Sequence, residues 1–147
     1  MTTKQAFTPG EWDQILMGPP SAGLVVIMAQ RGGMFRETLS MGKAYAEARE
    51  RHGQSELLDE IVTAKPEIDH TRSGSPDEMR ERALAHVRDG VALLDAKATE
   101  QERSDYRSFV LALTERVARA HREGGKEEDP VSDSERAAID SVRTALG

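Results

Sequence analysis

Between Ala22 and Ala29 this chain carries no polar side chain. The run belongs to the stretch from Pro19 to Gln30, which reads Pro-Pro-Ser-Ala-Gly-Leu-Val-Val-Ile-Met-Ala-Gln. A helix that is apolar all round has no face for water, so other helices must wrap it. Short apolar runs also suit buried strands, and Val25, Val26 and Ile27 are β-branched. A lone strand would have no partner, because nearly every other segment reads as helix. The run is about half the ~20 residues needed to cross a bilayer. The segment before it carries Glu11 and Asp13, not the basic flank of a signal sequence. The expectation is a buried helix at the centre of a bundle, with no membrane span.

A chain of 147 residues suits one domain and can bury roughly 68–70% of its extended surface. It has no cysteine, which excludes disulfides, thiolate metal sites, iron–sulfur clusters and a cysteine nucleophile. That composition fits a cytoplasmic location. The net charge of −6 argues against nucleic acid or an acidic membrane as partner, since both need basic patches. One Trp, two Tyr and three Phe leave little for a base-stacking surface.

Along the chain, residues 1–6 are polar and expected to be a flexible N-terminus, followed by one helical domain over 7–147. Thr8-Pro9-Gly10-Glu11 is a capping box with proline at the first helical position. Phe7 and Trp12 stand at the spacing of a hydrophobic staple, which places Trp12 in the core instead of on a ligand. Gly18, Pro19 and Pro20 predict the end of this first helix, before the apolar helix begins. A third helix is expected over about 34–52, and a fourth after Ser55 with Leu57, Leu58, Ile61 and Val62 on its buried side. Gly23 and Gly42 fall inside predicted helices, either as points of close approach or as tolerated defects. Residues 65–75 read as a loop. Ser75-Pro76-Asp77-Glu78 and Thr99-Glu100-Gln101-Glu102 are further capping boxes. They open a fifth helix, striped by Leu84, Val87, Val91 and Leu94, and a sixth, striped by Tyr106, Phe109, Leu113 and Val117. The short link at Thr99 predicts that these two form an antiparallel hairpin over 75–125. A loop over 124–131 precedes Ser132-Asp133-Ser134-Glu135, a fourth capping box, and a last helix.

Catalytic motifs are missing. There is no phosphate-cradling glycine loop, no Gly-x-Ser-x-Gly and no His-Glu-x-x-His. Glu67-Ile68-Asp69-His70 matches Glu-x-x-His once, beside Pro66 in an expected loop, whereas a di-metal bundle needs two such motifs on helices. His86 and His121 flank apolar stripes as boundary residues. One constellation could hold Ca²⁺ or Mg²⁺: Glu123, Asp129, Asp133 and Glu135, with Glu127 and Glu128 between them. It lacks EF-hand spacing. Acids in the first turn of a helix also have a purely structural role, because they complement the dipole.

Two resemblances follow. The opening Phe7-Thr8-Pro9-x-Glu11-Trp12, the 19–29 run, Leu93-Leu94-Asp95-Ala96-Lys97 and the Glu123-Gly124-Gly125 … Val131-Ser132-x-x-Glu135 ending resemble a group of small bacterial all-helical proteins without assigned function. In that group a longer linker with glycine and phenylalanine stands where this chain has Lys126-Glu127-Glu128-Asp129. The last third, with Glu123-Gly124 and the Val131-Ser132-x-x-Glu135 helix start, is similar to the tellurite-resistance TerB-like domain. That resemblance implies stress response and divalent-metal binding at acidic residues. TerB-like domains usually have Asp-Gly where this chain has Glu123-Gly124.

The expectation is therefore an all-α, single-domain bundle of six or seven helices around the buried apolar helix. Function is read by elimination as a non-enzymatic interaction module that binds a protein partner or a second copy of itself and needs no cofactor. The alternative is a TerB-like metal-binding module using the acidic 123–135 segment.

Overall fold

A computed structural model describes residues 4–29, 34–50, 56–64, 76–123 and 133–147. Six α-helices follow a single 3-10 turn at Lys4–Ala6: α1 (Pro9–Ala29), α2 (Met34–Glu50), α3 (Glu56–Thr63), α4 (Pro76–Lys97), α5 (Glu100–Glu123) and α6 (Asp133–Leu146). The fold is all-α, with no strand among the described residues. The 3-10 turn gives residues 4–6 a defined backbone within the segment expected to be loose. Residues 65–75 and 124–131, read as loops, lie outside the described residues.

Among the described residues the helix count is six, because the first two expected helices are one. α1 runs unbroken through Gly18, Pro19 and Pro20, all three buried. Proline lacks the N–H that would bond four residues back, so Pro19 takes from the Ile15 carbonyl its ordinary helical donor. A side chain 91 residues away supplies another: Tyr106 Oη donates to Ile15 O at 2.8 Å. Gly18 makes the space, because a Cβ there would overlap the Tyr106 hydroxyl. Gly90 forms the opposite wall. A Cβ on it would stand 3.1 Å from Tyr106 Oη and 3.4 Å from the Gln14 carbonyl. Tyr106 thus enters a notch where α1, α4 and α5 meet. Burial, reinforced by the neighbouring Tyr45 phenol, pushes its own phenol far above the usual range.

The rest of α1 explains its position. Trp12, Ile15, Leu16, Val25, Val26 and Ile27 are all buried. They lie on more than one face, so α1 packs against α4, α5, α6 and α2, most extensively against α4. α4 and α5, expected as a hairpin, do touch, but much of their packing goes to α1. The two helices follow one another across Ala98 and Thr99, yet each packs more on α1 than on the other. Gly23 is a point of close approach, where a Cβ would meet Met41 Sδ and stand 3.1 Å from Leu113 Cδ2. Gly42 is exposed with nothing within 4 Å of such a Cβ, so it is the tolerated kind.

Local start signals behave as their chemistry dictates. Thr8 N donates to Glu11 Oε1 at 2.9 Å and Glu11 N to Thr8 Oγ1 at 3.1 Å. The same reciprocal pair joins Thr99 and Glu102 at 2.9 and 3.2 Å. The Phe7 and Trp12 rings sit 6.2 Å apart as the staple requires. Lys97, at the end of α4, closes this corner. Its Nζ donates to Ala6 O at 3.0 Å and Glu11 Oε1 at 2.9 Å, and lies 5.4 Å from the Phe7 ring centroid. The boxes beginning at Ser75 and Ser132 start on residues outside the described ones.

Candidate binding groove

The flank of α5 beside the Tyr106 notch carries a different set of residues. Asp105, Phe109, Ala112, Arg116 and Arg119 recur every three or four positions, so they share one side of the helix. With Ala44, Glu47 and Ala48 of α2 and Leu58 and Asp59 of α3, they line a groove of about 410 Å³. A volume of that size falls in the range of small-ligand and partner sites.

Phe109 and Leu113 form an apolar floor. Phe109 is held edge-on to Tyr45 of α2, with centroids 5.2 Å apart and planes at 80°, a favoured aromatic geometry. The other apolar contributors are small or partly open: Ala44, Ala48, Ala112 and Leu58. One wall is tied by an ion pair from Arg116 Nη1 to Glu47 Oε2 at 2.7 Å. At α3, Arg49 Nε donates to Val62 O at 2.7 Å, satisfying a carbonyl in the last turn of that short helix.

Charge is distributed unevenly along the groove. Asp105 stands near the start of α5; its Oδ1 accepts from Gln101 Nε2 at 2.8 Å, and its buried Oδ2 has no hydrogen-bond partner among the described residues. Arg119 stands fourteen residues further on, about 21 Å along the helix axis. It is exposed and has no ionic partner among the described residues. Arg119 also borders a second, shallower depression of about 320 Å³ between α5 and α6. There Arg143 is engaged by Glu115 at 3.8 Å and Asp140 at 3.2 Å.

The sequence places Phe109 and Leu58 on buried stripes but does not bring them to one groove. Leu58 and Ala48 are only half-buried, and that shortfall is the signal of an uncovered face. The metal candidates are not among the described residues that line this groove. Asp129 is outside the described residues; Glu123 ends α5, and Asp133 and Glu135 open α6, with their side chains outside the description. Among the described residues, no three His, Asp or Glu side chains gather as a metal site. The motif residues Glu67 and His70 also lie outside the described residues, and His86 is half-buried on α4. No helix among the described residues is long and apolar enough to cross a membrane. No family model matches the chain, and neither a curated protein nor a solved structure matches it.

Proposed function

We propose that this chain is a non-enzymatic helical interaction module that takes a partner in the groove between α2, α3 and α5. The observation carrying this reading is the groove itself: among the described residues a space of about 410 Å³ stands open between three helices, with Phe109 and Leu113 at its floor, half-buried Ala48 and Leu58 beside it and charged side chains around it. Its lining has the anatomy of a contact surface, an apolar centre with a polar rim. The small side chains of Ala48 and Ala112 let another backbone come close.

A photocrosslinking amino acid at Ala112, exposed in the groove, tests this in the source organism; the control position is Asp89, exposed on α4. A discrete adduct at 112 and none at 89 is expected. The same adducts at both positions, or none at either, would remove the reading.

A further inference from the structure

The groove has a direction, and the direction specifies what fits it. Asp105, with its Oδ1 at the surface, stands at one end, and Arg119, exposed and without an ionic partner among the described residues, stands about 21 Å away at the other. Between them, Ala48, Ala112 and Ser108 present no bulk, half-buried Leu58 offers apolar contact with Phe109 at the floor, and the Arg116–Glu47 ion pair joins α5 to α2. A ligand spanning that length must carry opposite charges at its two ends and an apolar side between them. An α-helix of about fourteen residues is that long. Helices are stabilised by acids in the first turn and bases in the last. Laid antiparallel to α5, such a helix brings its acidic start to Arg119 and its basic end to Asp105.

Resting on the interaction-module reading, we propose that the occupant is an amphipathic helix of a partner protein, antiparallel to α5, with acidic residues facing Arg119 and a basic residue facing Asp105. The mode is helix-in-groove recognition, with apolar anchors at successive turns. The rim charges fix which way the helix lies more than how tightly it binds.

The test is a display selection against the full chain. The library holds eighteen-residue helices with fixed apolar anchors and end positions randomised among Glu, Lys and Gln. Selected helices should carry Glu in the first turn and Lys in the last. Their footprint, read by amide chemical shifts, should cover Ala48 and Ala112. Arg119→Glu alters an exposed side chain and leaves the core intact. It should weaken the selected helices about five-fold, in keeping with a rim charge pair, and reselection on it should enrich Lys in the first turn. Asp105→Asn should relax the choice at the last turn only. Three results overturn the proposal: helices without charge polarity, unchanged polarity on Arg119→Glu, or no helix selected at all. A crosslink from Ala112 to a second copy of this chain also overturns it, because the groove would then be a self-association surface. An Ala112 adduct to another protein together with unpolarised helices would sink the helix assignment while the interaction module stands.

Discussion

Tyr106→Phe removes one oxygen and tests the account of α1. In the wild type the Ile15 carbonyl is buried, has lost its helical donor to Pro19, and accepts from Tyr106 Oη at 2.8 Å. Phenylalanine keeps the ring in the notch and leaves that carbonyl without its phenolic donor. An orphaned buried acceptor costs about 1–3 kcal/mol, more than the net loss of an ordinary hydrogen bond. At about 2 kcal/mol, a chain of this size loses roughly 4–8 °C in Tm. The decisive comparison is a double-mutant cycle with Pro19→Ala. Alanine returns an N–H to position 19, so Ile15 O regains a helical donor and the phenol becomes redundant. In that background Tyr106→Phe should cost under about 1 kcal/mol, a coupling of about 1 kcal/mol. The packing lost with the proline ring enters both arms and cancels. Urea unfolding followed by circular dichroism reads the whole bundle. The fluorescence of Trp12, the chain's one tryptophan, reports the N-terminal half of α1. Equal costs in the two backgrounds would refute the idea that Tyr106 stands in for the missing donor.

Glycine substitutions should sort by surroundings. Gly90→Ala should destabilise by about 1–3 kcal/mol because the new methyl would stand 3.1 Å from a Tyr106 hydroxyl that its bond to Ile15 O holds in place, whereas exposed Gly42→Ala should stabilise by about 0.5–1 kcal/mol in denaturant titrations. Burial raises both tyrosine phenols well above their ordinary value, so folding stability is complete below pH ~10 and falls as pH rises beyond it. Absorbance at the phenolate band should therefore rise only as the chain unfolds, and with two tyrosines in all, any ionisation in folded protein contradicts the burial. The Glu11 carboxyl is held below its usual range, first by the Thr8 N–H and then by Lys97. Its contribution is present above the ordinary carboxylate pKa and lost as pH falls through the depressed one, so Glu11→Gln should flatten the acid limb of a stability profile. Native mass spectrometry with calcium, magnesium, manganese or zinc should show metal-free protein; a stoichiometric adduct abolished by Asp129→Asn with Asp133→Asn would move the reading to the acidic segment.

What was legible in the sequence was local. The capping boxes at Thr8 and Thr99 and the Phe7–Trp12 staple form within a few residues, and each appears with the hydrogen bonds or contact its pattern implies. The stripes of α4 and α5 likewise fell on buried positions, because helical periodicity needs no knowledge of the partner. What the sequence concealed was tertiary. Pro19 and Pro20 ordinarily end a helix, and the group that offsets the lost donor sits on another helix. The groove is hidden for the same reason. Its lining comes from three helices, and no pattern within one of them says that Ala48, Leu58 and Ala112 face a common space.

The central place of α1 also has a consequence for synthesis. Its principal partners, α4 and α5, lie well downstream: α4 begins at Pro76 and ends at Lys97, whereas α1 ends at Ala29. At ribosomal speeds of about 5–20 residues per second, roughly 3–14 s separate the completion of these two helices. Throughout that interval Val25, Val26 and Ile27 have emerged without the surfaces that will enclose them. The same segment that organises the finished bundle is therefore the nascent chain's most exposed hazard. A holding chaperone would meet it before α4 does.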